Sequence, residues 1–351
     1  MPIQFDDVNT VATKTIMPGI VDNFFKSGPV IALLKSRFTR RWVGPLIQEN
    51  FLFKPMKGGS YKKGQVFDVT KQQVRTGMIF SPRYYDANVT EFLEDIEVEM
   101  AGPTAVFSTV RQDLITAALT VSAILEIAIF RNGQLVGGVD RTGELNGFEE
   151  AFTDGLVQTF AGNTFVSYGG QDRPTVTPAL NSPTGLITPN PGAGLNFRVL
   201  EHSYLSCVIG AEHPTLGITT NRGMGFIQES FQPQQRIDTL EPEIGWPGIK
   251  WQGGQATLVM SQYCPGQDGV NDGNIGNYNA SAETFWWLNP GPKGEDAYVR
   301  LYIAQSPKFA FGFTGFKGAR DDNQVSGQIL FGGNLTVRAP RLSRGLYGFT
   351  K

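Results

Sequence analysis

Few residues in this chain are of the types that make or break bonds. It has two cysteines, Cys207 and Cys264, and two histidines, His202 and His213. Cys207 with the nearby Glu212 and His213 gives the one spacing from which a thiol–imidazole nucleophile could be built. It lies in SYLSCVIG, however, an apolar run that reads as a buried strand from Tyr204 to Ile209, where a thiol behaves as an inert hydrophobe. Cys264 stands at a strand-to-loop exit without an activating neighbour in sequence. Glu149, Glu150 and Asp154 share one helical face and could form a carboxylate pair for acid–base work. Glutamates in a first helical turn, facing the helix dipole, are the simpler explanation. The run DGVNDGN from Asp268 to Asn274 is similar to a calcium loop but lacks the alternation and the terminal Glu. No phosphate loop, G-x-S-x-G elbow or H-E-x-x-H pair occurs. No catalytic residue, cofactor or metal centre is expected.

Charge points the same way. The 351 residues hold 30 Lys plus Arg against 32 Asp plus Glu, a net charge of -2, which excludes a strongly basic nucleic-acid binder. Basic clusters at Arg40-Arg41, Lys62-Lys63, Arg338 and Arg341 are scattered and imply no continuous groove. Only 18% of residues are charged, below the usual quarter, as expected where polar surface is hidden between subunits. Two cysteines are too few for a disulfide scaffold or a closed zinc site. The N-terminus MPIQFDDVNT lacks a basic and apolar leader, so folding in a cytoplasm is expected.

The elements that would carry these residues are short strands and one long helix. Forty-two glycines and 21 prolines favour turns. Residues 1–50 alternate turn signals with short apolar runs such as Val30 to Leu34 and read as an extended arm needing a partner surface. From 51 to 95 the apolar density is too low for a core, and a long polar hairpin is expected. Ile96, Val98 and Met100 alternate with acidic residues as in a half-buried strand. A helix is expected over Phe107–Phe130, about 35 Å long, with Phe107, Val110, Leu114, Leu119 or Ala118, Val121 and Leu125 as its stripe. Its part from Leu114 to Phe130 is short for a membrane span and carries Glu126, so it reads as a core or interface helix. A second helix is expected over 147–158 and a short one over 223–231. Residues 169–194, rich in Pro and Gly, read as a surface excursion and 264–282 as a loop tip. The last third reads as strands, and the class is α+β.

This order of parts resembles the major capsid protein of tailed bacteriophages, with the Hong Kong-type coat fold. Local stretches that carry the resemblance are GFEEAFTDG at 147–155, SFQPQQRI at 230–237, ETFWWLNP at 283–290 and QILFGGNLTVRAPRLSRGLYGF at 328–349. The resemblance implies an N-terminal arm at 1–50 and an extended loop at 51–95. It implies a peripheral domain with the spine helix at 96–144, completed by about 326–351, and a mainly axial domain at 145–325. It also implies self-assembly into hexamers and pentamers, an icosahedral shell around packaged double-stranded DNA, a location in the virion and assembly in the host cytoplasm. Portal, decoration and separate scaffolding proteins are the further partners it suggests, with no membrane.

An extended hairpin with little core is stable only when laid on a neighbour. Lys57, Lys62, Lys63, Arg75 and Arg83 would meet an acidic surface there, with Glu91, Glu94, Glu97 and Glu99 as candidates, and Arg40 and Arg41 as further contacts. Some relatives join an extended-loop lysine to a neighbour's asparagine. Here Lys57, Lys62, Lys63 or Lys71 could supply the amine and Asn334 the acceptor, with non-covalent contact the simpler reading. The alternatives are a tail-tube or decoration subunit, or a β-rich carbohydrate-binding protein or hydrolase using Glu149, Glu150 and an exposed Trp286-Trp287 pair.

Overall fold

A computed structural model describes residues 29–67, 69–92, 103–136, 139–153, 165–176, 179–183, 193–195, 197–231, 250–251, 256–266, 283–292, 294, 296–318 and 323–350. The expected strand around Ile96–Met100 and the loop tip beyond residue 266 lie outside them, as do Asp154, Glu94, Glu97 and Glu99.

The arm is not extended where it is described. Pro29–Phe38 is a helix, α1, that buries Val30, Ile31, Leu34 and Phe38 at helical spacing. Pro29 suits its first position because it has no N–H to leave unpaired. Thr39–Trp42 (β1) follows, then Ile47–Leu52 (β2), which buries Ile47, Glu49 and Phe51 in strict alternation. Arg75–Phe80 (β3) pairs antiparallel with β2, from Ile47 opposite Phe80 to Leu52 opposite Arg75. Arg83–Phe92 (β4) leads towards Pro103–Phe130 (α2), the long apolar helix expected from the sequence, which starts four residues earlier than expected. In its stripe Ala118 is buried and Leu119 exposed. Its segment Asp113–Phe130 is long and apolar enough to cross a membrane, yet 56% of it is buried within the protein.

Leu135–Val136 (β5) and Val139–Asp140 (β6) form a small hairpin, and Phe148–Ala151 (α3) is a single turn where a longer helix was expected. Ser167–Tyr168 (β7) and Gln171–Asp172 (β8) are joined by Gly169-Gly170. Both glycines have positive φ, +57° and +71°, the backbone that a two-residue hairpin turn demands. After Ala193–Gly194 (β9), Phe197–Ser206 (α4) takes up much of what read as a strand. Its buried Leu200, Ser203 and Tyr204 have helical spacing, and Cys207 follows the helix. Leu216–Thr219 (β10), Asn221–Phe231 (α5), Lys250–Trp251 (β11), Ala256–Met260 (β12) and Glu283–Leu288 (β13) come next. Val299–Ala304 (β14), Ala310–Phe313 (β15), Lys317–Gly318 (β16), Gln324–Val337 (β17) and Arg344–Thr350 (β18) complete the chain.

Two six-stranded sheets organise these elements. The first runs β1-β14-β17-β15, with β16 and β4 also on β17; the second runs β11-β12-β10-β13-β18-β9. Strand β17 pairs with β4 from Gln324 to Gly333, then with β14 from Gly333 to Val337. Gly333 lets it change partners, because a Cβ there would lie 2.0 Å from the carbonyl oxygen of Tyr302. The sheets do not divide at residue 325: β14 and β15 share the first sheet with β17, and β18 belongs to the second. One core spans α1, α2 and the first sheet and reaches the second sheet through Trp286 and Leu288; another lies beneath α4 and α5. Trp286 and Trp287, adjacent on β13, therefore point into different cores.

Candidate assembly surface

The β2–β3 stem is fixed to the first sheet by one buried carboxylate. Glu49 faces inward between Ile47 and Phe51. Arg300 Nη1 on β14 lies 2.9 Å from each of its carboxylate oxygens, and the Tyr302 hydroxyl donates to Oε1 at 2.7 Å. From β17 and its end, Thr336 Oγ1 donates at 3.5 Å and Arg338 Nε approaches to 3.4 Å. Burial, followed by the hydrogen bond and charge of Glu49, raises the Tyr302 pKa above the phenol range and keeps that hydroxyl a donor.

Beyond the stem, Phe53 N–H bonds the Val74 carbonyl, and regular pairing stops. Residues 54–67 and 69–71 are exposed throughout, with Val66 at 90% and Val69 at 93%. Tyr61 and Phe67 meet edge to face with ring centroids 5.1 Å apart, and a turn at Gly64 is held by Gln65 N–H on the Lys62 carbonyl. Lys57, Lys62 and Lys63 lie among these apolar side chains. The tip is therefore a basic and apolar surface on a braced stem. Among its described residues it contains no regular strand between Phe53 and Val74, so the expected long hairpin is ladder only in its β2–β3 stem.

The other expected contacts do not all gather here. Arg75 is exposed at the end of the stem next to the tip, opposite Leu52. Arg83 is half-buried and donates to the Gly133 carbonyl of its own chain. Arg40 and Arg41 are exposed on β1, the end strand of the first sheet, where Arg41 also donates to the Ala304 carbonyl. Glu91 is half-buried on β4, opposite Val325.

Of the residues read as possible chemistry, Glu149, Glu150, Cys207 and Cys264 are buried within the chain's own packing. Glu150 accepts from Gly133 N–H, Gln134 Nε2 and Asn146 Nδ2, while Asn132 Nδ2 donates to Glu149; both acids are buried. Burial pushes the Glu150 pKa up. The Cys207 thiol is pushed up to about 12 and that of Cys264 higher still, both by burial, so neither is an activated nucleophile. Trp286 and Trp287 are fully buried, which removes the sugar-stacking surface of the carbohydrate alternative. Asn334 is also buried: its amide nitrogen donates to Ser81 and Asn146, and its oxygen accepts from Asn146 and Leu335. A neighbour's lysine has no approach to it. Among the described residues no group of three or more His, Cys, Asp or Glu could hold a metal.

Several charges are buried that the sequence does not single out, Glu49, Arg173 and Arg300 among them, and Glu126, expected on a core or interface helix, has partners that the sequence does not give. Glu49 could have been found from its place in phase with Ile47 and Phe51. Glu126 is wholly buried on α2 and accepts Val30 N–H at 3.1 Å, Ile31 N–H at 2.9 Å and Ser261 Oγ at 3.2 Å. Burial raises its pKa to about 7, against the two backbone donors and Ser261, which favour the ionised form. Arg173, in the Pro/Gly-rich stretch expected on the surface, is fully buried and donates to the carbonyls of Glu150, Ala151, Thr153 and Leu180.

No protein-family model and no curated protein sequence matches the chain. Solved structures do. The cyanophage A-1(L) capsid subunit superposes with a TM-score of 0.63 at 13% identity over 92% of this chain and 93% of the other. The holo-SrpI encapsulin of Synechococcus elongatus PCC 7942 gives 0.55 at 10% identity over 99% and 96%. The capsid of an empty GTA particle gives 0.50 at 11% identity over 91% and 96%. With both sheets and the long helix in place, this chain has the α+β coat-protein fold shared by phage capsids and encapsulins, the Hong Kong-type fold that its sequence resembles.

Proposed function

We propose that this chain is a structural shell subunit, the major capsid protein of a tailed phage, and not an enzyme. Copies assemble into hexamers and pentamers that close an icosahedral head around packaged double-stranded DNA. The observation that carries this reading is the tip from Lys54 to Lys71, apolar and basic, on a stem braced by Glu49. Laid on a neighbouring copy, Val66, Phe67 and Val69 would lose their exposure to water, about 25 cal/mol per Å² of apolar area. Weak contacts repeated over a closed shell add up through multivalency.

In this reading residues 1–50 are the arm and 51–95 the extended loop. Helix α2 with the first sheet makes the peripheral domain, and the second sheet lies in the axial domain. Lys57, Lys62, Lys63 and Arg75 meet acidic groups of the neighbour. A net charge of -2 limits repulsion between packed copies and leaves only a weak general grip on DNA. Portal, decoration and scaffolding proteins complete the particle, which assembles in the host cytoplasm.

The encapsulin likeness over 99% of the chain favours a second reading, a protein-filled compartment built by the same subunit contacts. Expression of the full chain with and without Val66→Asp plus Val69→Asp tests the shared core of both. Wild-type particles by negative stain, and folded but unassembled double mutant, are expected. Particles unchanged by the double mutation would count against the tip as the contact. Nuclease-protected DNA in particles from an infected host separates a phage head from a compartment.

A further inference from the structure

Helix α2 buries one side and leaves an uncharged stripe on the other. Leu119, Thr120 and Ile124 are exposed, Leu119 at 42% and Ile124 at 38%, and Ala123 and Ile127 are half-buried beside them. At about 100° per residue these positions fall in one arc, from about 20° to about 160° round the helix from Glu126. An apolar arc of this kind, on a helix whose opposite side buries Leu114, Ala118, Val121, Leu125 and Ile129, is an interaction face.

The chain itself supplies the occupant. Glu126 borders the arc and accepts the N–H groups of Val30 and Ile31, so the N-terminus of α1 sits at that edge of α2. Upstream stand Ile16, Ile20, Val21, Phe24 and Phe25, with only Asp22 and Lys26 charged between residues 16 and 28. The stripe from Leu119 to Ile127 is about 12 Å long, the reach of about four extended residues. The segment is thus long enough, apolar enough and tethered at the right edge.

We propose that residues 16–28 cover the Leu119–Ile127 stripe of their own copy. The hydrogen bonds of Glu126 then fix where the segment starts, and the stripe supplies its apolar contact. This holds whether or not the chain builds a shell.

Disulfide trapping in the full-length protein tests it. Ile124→Cys is combined in turn with Ile20→Cys, Val21→Cys and Phe24→Cys under mild oxidation by dissolved oxygen, against a background of two buried native thiols. An intrachain disulfide in at least one pair, at monomer mobility on a non-reducing gel, is the expected result. No disulfide in any pair overturns the proposal, and so does an interchain band alone, which would place the segment on another copy. Maleimide labelling of Ile124→Cys gives a second readout. It should be about tenfold faster in a chain lacking residues 1–28, through loss of a cover that opens only transiently. Equal rates in a folded truncated chain contradict the proposal.

Discussion

Arg300 holds Glu49 with one nitrogen 2.9 Å from each carboxylate oxygen, inside a core where both side chains are almost wholly buried. The pair ties the stem of the exposed tip to the central strands of the first sheet. Removing one member of such a pair leaves the other charge buried and unpaired, which costs about 3–5 kcal/mol. Glu49→Ala should therefore destabilise the chain by about that amount in chemical denaturation. It should also raise proteolytic cleavage between residues 53 and 74. A loss below about 1 kcal/mol would reduce the pair to an ordinary surface contact.

Glu126 gives a pH dependence with a defined sign. Its carboxyl is raised from an ordinary 4.5 to about 7 in the folded chain. The folded state therefore binds the proton more tightly than the unfolded state does. The stability gained is fully present below about pH 4.5 and is lost as pH rises through about 7, on the order of 3 kcal/mol in all. Glu126→Gln removes this titration. Between pH 5 and 8 the stability of the wild type should fall relative to the variant, as read from urea midpoints. A difference that does not change with pH would contradict it.

Arg173 is a fully buried cation that satisfies carbonyls from Glu150 and Ala151 of α3, from Thr153 and from Leu180. Arg173→Met keeps much of the volume but strands those oxygens. A loss of about 2–4 kcal/mol is expected in thermal or chemical unfolding, from several acceptors left without donors.

The thiols provide a simple check on the reading that no nucleophile exists here. Cys207 and Cys264 are both buried, and burial holds their pKa values well above neutrality. Neither should react with a thiol reagent at pH 8 in the native protein, and both should react at once in denaturant. Rapid native labelling of Cys207 would reopen the thiol–imidazole reading.

Some of this was legible in the sequence, for reasons that particular residues show. Helix α2 announced itself through the 27 residues that follow Pro103, up to Phe130, none of them Pro or Gly, and the tip through an apolar density over 51–95 too low for a core of its own. Helix α1 was hidden because ten residues between turn signals are too few to display a period against Lys35, Ser36 and Arg37. Tyr204–Ile209 misled because the apolar end of α4 continues into a turn of apolar residues that buries Cys207 and leaves Ile209 exposed, so a helix end and a strand look alike there. In β10 and β13 every residue is buried, which erases the alternation that marks a strand. Glu126 and Arg173 could not be placed because their partners are mostly backbone groups brought near by tertiary packing, and main-chain atoms leave no trace in residue types.

In the proposed shell the tip around Tyr61–Val69 is finished by another copy of the chain. A three-dimensional reconstruction of particles formed by the purified full-length protein tests it most directly. The expected result is a closed shell of hexamers and pentamers in which Val66, Phe67 and Val69 lie against a neighbouring subunit. A protein that stays monomeric at high concentration, or a shell in which the tip touches only its own subunit or solvent, would contradict the account.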